Sequence, residues 1–406
     1  MQETLSHYFG YKSFRPGQEE IITKILNHQH TLGVLPTGGG KSICYQVPGL
    51  MQGGTTIVIS PLISLMKDQV DQLQAMGIQA AYLNSSLTHK QQKEIEERIK
   101  RGAIQFLYVA PERFENTFFL NLLRKIKIPL IAFDEAHCIS KWGHDFRPSY
   151  QSVIQKVFTL PQNFTIVALT ATATAEVQQD IMSKLSIGQN DVVKTSTKRR
   201  NLIFKVNPTY QRQKFVVDYV ANHEGQAGII YCSTRKQVEE LHEALNSEKI
   251  KSTIYHAGLT NKERIEAQND FLYDRVEVVI ATNAFGMGID KSNVRYVIHY
   301  NMPGDLESYY QEAGRAGRDG LKSECILLFS ERDKGLHEYF ITVSQADDDY
   351  KDKMGEKLTK MIQYTKTKKC LEATIVHYFE PNENLEECNQ CSNCIQENKT
   401  YDMTRE

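Results

Sequence analysis

Short, unbroken apolar and β-branched runs punctuate this sequence, each separated from the next by enough chain for a helix. The first set is TLGVLP (31–36), TTIVIS (55–60), AAYLN (80–84), IQFLYVA (104–110), PLIAFD (129–134) and TIVALT (165–170). The second is LIFKV (202–206), GIIYCS (228–233), STIYHA (252–257), VEVVIAT (276–282), RYVIHY (295–300) and CILLFS (325–330). Most run continuously and do not alternate with polar residues, as strands do when helices bury both faces of a parallel sheet. Two α/β lobes are therefore expected, alike in architecture and without a sequence repeat. Between them KTSTKRRNLIFK (194–205) is basic and carries no apolar period, which suits a linker. After Ser330 the pattern changes. The acidic stretch ADDDY (346–350) precedes a helical segment, KDKMGEKLTKMIQY (351–364). There Met354, Leu358, Met361 and Thr365 share one face, and Lys353, Lys357 and Lys360 fall on another. The expected boundaries are 1–200 and 201–334 for the lobes and 335–406 for a small third module.

Length agrees, since 406 residues exceed one ordinary core. With 41% hydrophobic and 24% charged residues, the profile is that of a globular chain. No run of 18 apolar residues occurs, so no membrane span is expected. The N-terminus lacks the apolar core of a secretory signal, so the default address is the cytosol or the nucleoid within it. A net charge of −1 means that any nucleic-acid site must be a local basic patch on a neutral body. Of eight cysteines, Cys44, Cys138, Cys232 and Cys325 are scattered and read as buried thiols.

The remaining four crowd the C-terminal end. Cys388, Cys391 and Cys394 form C-x2-C-x2-C, with Cys370 upstream at the start of an apolar helix, CLEATIVHYF. Four thiolates suit tetrahedral Zn²⁺ in a closed structural site, and an iron–sulfur cluster also uses four. His377 is an alternative ligand but reads better as a helix-face histidine.

Chemistry is concentrated at two places in the first lobe. One is LPTGGGKS (35–42), between a strand and a helix. There the backbone of Thr37, Gly38, Gly39 and Gly40 can converge on phosphate oxygens. Lys41 would face the β- and γ-phosphates, and Ser42 would offer its hydroxyl to Mg²⁺. The strict pattern has Gly where this chain has Leu35. The other is PLIAFDEAH (129–137). Asp134, at a strand's carboxyl end, suits a Mg²⁺ ligand, and Glu135 suits the base that orients and deprotonates a water. Together they describe a Mg-ATP site, which transporters, motors and helicases share.

Further motifs narrow the choice. DEAH (134–137), LTATAT (169–174), VVIATNAFGMGIDK (278–291) and YYQEAGRAGRDG (309–320) form a series that resembles the superfamily-two helicases. The resemblance implies that Thr170 and Thr172 link the ATP site to the other lobe. It also implies that Gln311, Arg315 and Arg318 act on the γ-phosphate. A planar, permanently charged fork matches charge spread over several phosphoryl oxygens. Asp290 would contact the ribose or the opposing nucleotide pocket, or cap a helix.

Three features resemble the RecQ family in particular: YFGYKSFRPGQEEII (8–22), CISKWGHDFRPSY (138–150) and the order of the cysteines. In the first, Gln18 would read the adenine edge, with Tyr11 and Arg15 around the base. The second holds the only tryptophan, Trp142, with His144, Phe146, Arg147 and Tyr150. It resembles the loop by which that family senses single-stranded DNA, because aromatic faces stack on any base. Core packing is the alternative for Phe146 and Tyr150, and for Trp142 as well. Ser60, Lys67 and Arg113 in the first lobe, and Ser233 and Arg235 in the second, match backbone-contact segments. The resemblance implies an ATP-, Mg²⁺- and Zn²⁺-dependent helicase moving 3′ to 5′ on single-stranded DNA and opening tailed duplexes. Single-stranded-DNA-binding protein and repair factors are the partners it points to. Two other readings stay open, an RNA-directed motor and an ATP-gated clamp that does not unwind. Family members often continue into a winged helix and a further domain.

Overall fold

The computed structural model describes residues 1–61, 63–143, 145–285, 291–383 and 386–395. Their strands form two sheets, every pair parallel. The first contains β1 (Thr31–Val34), β2 (Thr56–Ile59), β3 (Ala80–Leu83), β4 (Phe106–Val109), β5 (Leu130–Phe133), β6 (Thr165–Thr170) and β7 (Val192–Lys194), in the order β3-β4-β2-β5-β6-β1-β7. The second contains β8 (Leu202–Pro208), β9 (Ala227–Tyr231), β10 (Ser252–Tyr255), β11 (Val278–Ala281), β12 (Val294–His299) and β13 (Ser323–Phe329), in the order β10-β11-β9-β12-β13-β8. The chain divides into two compact units, Met1–Thr197 and Lys198–Glu406, with one sheet in each.

The continuous apolar runs follow from burial on both faces. In β2, Ile57 and Ile59 enter one core and Val58 enters the other. In β9, Ile229 and Tyr231 face one core and Ile230 the opposite one. Every apolar run forms its expected strand. The strand that no run announced is β7, three residues with one fully covered side chain, too short to show a period.

Helices of the first unit are α1 (Gln2–Phe9), α2 (Gln18–Leu26), α3 (Ile43–Gln52), α4 (Ile63–Ala75), α5 (His89–Lys100), α6 (Thr117–Leu123), α7 (Pro148–Val157) and α8 (Ala175–Leu185). Those of the second are α9 (Arg212–Ala221), α10 (Arg235–Ser247), α11 (Asn261–Leu272), α12 (Leu306–Ala313), α13 (Glu331–Val343), α14 (Asp348–Lys366) and α15 (Leu371–Phe379). Starts are fixed by capping residues. Thr88 and Gln91 at α5, and Thr260 and Glu263 at α11, satisfy each other's backbone donors. None of these helices is long and apolar enough to cross a membrane.

The cysteine-bearing region is continuous with the second sheet's core. Leu358, Met361 and Tyr364 of α14, Leu371, Ile375 and Phe379 of α15, and Cys370 and Cys391 pack in one cluster with Phe204 and Leu327. Its loop also clips onto β8, the sheet's edge. The Ser392 N–H donates to the Phe204 carbonyl at 3.0 Å, and the Val206 N–H to Ser392 Oγ at 3.3 Å. The expected polar face of α14 is only partly polar. Lys357 is buried because its ammonium meets the buried Glu307 carboxylate of α12 at 3.0 Å. Tyr378 of α15 donates to the same carboxylate at 2.8 Å.

Candidate nucleotide and nucleic-acid site

In a parallel sheet, the loops after the strands gather along one edge. In the first unit that edge carries residues 35–42 after β1, the acidic box after β5 and LTATAT after β6. The phosphate loop turns through Gly38 and Gly40, both in the left-handed region (φ +79° and +75°). It closes on itself by a Gly39 N–H bond to the Pro36 carbonyl at 2.8 Å and enters α3 beyond Ser42. Thr37 is buried. Gln18, the first residue of α2, lies against the loop and is buried. Its Nε2 donates to the carbonyls of Gly40 at 2.9 Å and Gly39 at 3.2 Å, and its Oε1 accepts from the Arg15 N–H at 2.8 Å. The Arg15 guanidinium donates to the Gly38 carbonyl. Both Nε2 hydrogens are thus spent on the loop, so reading an adenine edge with this amide requires releasing it. Tyr11 is exposed.

Asp134 is buried at the end of β5. Burial and the neighbouring Glu135 carboxylate push its carboxyl up to about 7, opposed by the Lys41 ammonium. A cation beside it would reverse that cost. Glu135 sits in the left-handed region at φ +48°, a strained position for a residue with a side chain, of the kind found at functional sites. Its Oε2 lies 3.3 Å from His137 Nδ1, which lies 3.0 Å from Thr170 Oγ1. The Thr170 hydroxyl gives its one hydrogen to the Thr172 carbonyl at 3.0 Å. Toward His137 it must therefore accept, which assigns the proton to Nδ1. Thr170 thus ties the acidic box to LTATAT within one unit. Sequence reasoning passed over His137, although it stands inside DEAH.

The aromatic-rich loop is fastened directly to this box. A Cβ at Gly143 would lie 2.2 Å from the His137 carbonyl, so only glycine allows the approach. Tyr150 is fully buried, as the core-packing alternative had it, and its hydroxyl donates to the Asp134 carbonyl at 3.0 Å. Arg147 is held by Asp145 Oδ2 at 2.9 Å and donates to the Pro61 carbonyl at 2.9 Å, bridging the loop to the segment after β2. Trp142 is half-buried against the core, with the Lys141 ammonium 5.4 Å from its ring centre, and Phe146 is half-buried. Lys67 is exposed and paired with Asp71 at 2.8 Å. Arg113 bonds Gln92 at 3.1 Å and Glu96 at 3.4 Å, and the Ser60 side chain is fully buried. His144 and Asp290 lie outside the described residues.

In the second unit, Gln311 of α12 and Arg315 just beyond it are buried, and Arg318 is half-buried. Arg315 reaches the Tyr231 hydroxyl at the end of β9, which itself donates to the Phe285 carbonyl at 3.0 Å. Tyr231 stacks on His299, whose Nε2 meets Glu312 of α12 at 2.9 Å. Ser233 receives a backbone anchor from Asn301 Oδ1 at 3.1 Å, and Arg235 is exposed at the start of α10.

Cys370, Cys388, Cys391 and Cys394 bring their sulfurs within 4.8 Å of one another. Zn–S bonds of about 2.3 Å require tetrahedral S–S edges of about 3.8 Å. The sulfurs of Cys388 and Cys394 lie 3.9 Å apart, those of Cys391 and Cys370 4.0 Å, and those of Cys391 and Cys394 3.5 Å. So tight a set encloses one ion and leaves no room for a cluster of several irons. Backbone N–H groups of Leu371, Cys388 and Cys391 point at the sulfurs from 3.2–3.3 Å, which favours thiolates. The residues fit Zn²⁺. His377 is exposed and is not part of the set. Cys44, Cys138, Cys232 and Cys325 are buried free thiols, as expected.

Comparison with known proteins matches three segments of the chain to family models. Residues 15–181 match the DEAD/DEAH box helicase model, 211–320 the helicase conserved C-terminal domain and 331–395 the RecQ zinc-binding domain. Among solved structures, yeast Dbp5 bound to RNA and ADP BeF3 superposes with a TM-score of 0.67 at 18% identity, covering 88% of this chain and 97% of that one. The helicase MrfA bound to DNA and AMPPNP gives a TM-score of 0.67 at 18% identity, covering 85% of this chain and 53% of that one. At such identity the likeness defines a fold class, the paired RecA-like sheets of helicases. Closer relatives narrow it. The ATP-dependent DNA helicase RecQ of Bacillus subtilis is 48% identical over 406 residues, covering 100% of this chain and 68% of that one. Its namesake in Haemophilus influenzae is 42% identical over 398 residues, covering 98% of this chain and 64% of that one. The chain belongs to the RecQ helicase family, and it spans about two thirds of the length of these relatives.

Proposed function

We propose that the protein is an ATP-driven DNA helicase that moves 3′ to 5′ on single-stranded DNA and opens tailed duplexes during recombination and repair. The observation that carries this reading is the shared edge of the first sheet, which presents the phosphate loop, Asp134 and Glu135 together, in a chain of the RecQ family. Residues 37–42 cradle the phosphates, with Lys41 against the β/γ oxygens. Asp134 and Ser42 would hold Mg²⁺, which supplies positive charge to the developing phosphate oxygens. Glu135 takes the proton of the attacking water, with His137 Nδ1 3.3 Å from its Oε2. By the family resemblance, Arg315 and Arg318 would neutralise charge on the transferring group and Gln311 would hydrogen-bond to it. Lys67 and Arg235 are the exposed candidates to meet a strand, and Trp142 and Phe146 are half-buried aromatic ones. Ser60, Arg113 and Arg147 are committed to the protein's own framework and serve the strand through it. The four thiolates would hold Zn²⁺ as a structural clamp.

Strand displacement on a duplex with a 3′ single-stranded tail tests the reading. Separation should require ATP, and Lys41→Ala should lower hydrolysis by roughly 100-fold or more while retaining DNA binding. ATP-independent separation, or parent-rate hydrolysis by Lys41→Ala, would overturn it. RNA stimulating hydrolysis as well as DNA would favour the RNA-directed motor, which the DNA helicase names of the close relatives disfavour.

A further inference from the structure

We propose that Arg199 is a positioning residue for ATP hydrolysis, fixing with its guanidinium fork the loop that carries Arg315 and Arg318. The proposal rests on the hydrolytic role given above to those two arginines. Helix α12 ends at Ala313, and the chain turns through residues 314–320, GRAGRDG. The carbonyls at a helix C-terminus lack partners and carry partial negative charge. Arg199, far away in sequence, meets the carbonyl of the cap residue Gly314 and two more in the turn beyond it. Its Nη1 donates to the Gly314 carbonyl at 3.3 Å, and its Nη2 to those of Ala316 at 3.1 Å and Gly317 at 2.9 Å.

Asn201 completes the grip. Its Oδ1 accepts from Arg199 Nε at 3.3 Å, and its Nδ2 donates to the carbonyls of Gly317 at 2.8 Å and Leu321 at 3.0 Å. On the other side the Gly317 N–H meets the Val294 carbonyl at 2.9 Å, and Arg295 meets both Asp319 oxygens at 2.7 Å. The backbone is thus pinned immediately before and after Arg318. Gly317 is left-handed at φ +56°, and a Cβ there would strike Asn201 Nδ2 at 2.5 Å and the Leu321 carbonyl at 2.7 Å. These donors therefore hold the loop's backbone on both sides of Arg318. A lysine cannot reproduce the fork, because one ammonium point cannot span three carbonyls. Arg199 stands in the basic segment 195–201 between β7 and β8, one residue beyond Lys198 where the second unit begins.

The test compares Arg199→Gln, Arg199→Lys, Asn201→Ala and Arg318→Ala in DNA-stimulated ATPase assays, with active sites titrated by nucleotide binding. Arg318→Ala should lose hydrolysis by roughly a thousandfold or more. Arg199→Gln should lower kcat at least tenfold per active site with KM for ATP within twofold, Arg199→Lys should recover only part of that, and Asn201→Ala should lose less than Arg199→Gln. A clip that served folding alone would lower the melting temperature and the active fraction while leaving kcat per active site unchanged. That result in Arg199→Gln, or in Asn201→Ala should Arg199→Gln not fold, overturns the proposal if Arg318→Ala is inactive. An Arg318→Ala protein that hydrolyses at the parent rate overturns instead the reading of the arginine pair.

Discussion

The phosphate loop of the first unit and the arginine loop of the second are both glycine-rich turns beside a helix end, and they are held by opposite means. The first is shaped by its own backbone and leaned upon by two flexible side chains, Gln18 and Arg15, which satisfy its carbonyls. The second is gripped from both sides by residues distant in sequence, Arg199 and Asn201 on one face and Val294 and Arg295 on the other. On the proposed reading, the loop that receives the nucleotide is contacted by two side chains of neighbouring sequence, and the loop that presents the arginines is bonded from both sides.

Matched glycine substitutions put this contrast at risk. At Gly317 a methyl group meets a backbone carbonyl and a pinned amide, so Gly317→Ala should cost about 2–4 kcal/mol from overpacking and left-handed strain. In a unit of this size that is a fall of roughly 5–12 °C in the melting temperature. At Gly40 the nearest atom is Gln18 Nε2, the far end of a side chain that can swing away. Gly40→Ala should therefore cost about 1 kcal/mol, the left-handed strain alone. Equal losses in thermal melts would erase the distinction.

A smaller effect sharpens the first half of the contrast. The Asp134 carboxyl is raised from its ordinary 3.8 to about 7, so the folded state binds its proton more tightly than the unfolded chain does. Its contribution to stability is fully present below about 4 and is lost as pH rises through about 7. In melts without nucleotide or Mg²⁺, the parent should lose more stability between pH 5 and pH 8 than Asp134→Asn. Parallel pH profiles would refute that electrostatic reading.

The same contrast explains what could be read without coordinates. The phosphate loop, the acidic box and the cysteine spacing are local patterns whose chemistry sits in adjacent residues. Continuous apolar runs announced the strands because both sheet faces are covered. Arg199 lay in a segment that reads only as a basic linker, since its partners stand more than a hundred residues away. Lys357 looked like a solvated face for a similar reason, as Glu307 belongs to another helix. Arg147 and Tyr150 shared one aromatic motif, and only packing separates an arginine tied to Pro61 from a tyrosine sealed beneath Asp134.

The fastening of Ser392 to β8 has a consequence for colloidal behaviour. The outermost strand of a sheet offers unsatisfied amides to any neighbour that can zip onto it. Here a loop whose shape depends on four sulfurs occupies that rim at Phe204 and Val206. Stripping zinc with a chelator should therefore turn a guarded border into an adhesive one. Light scattering should rise with protein concentration before helical circular dichroism is lost, whereas a clear solution that merely unfolds would show that the rim needs no guard.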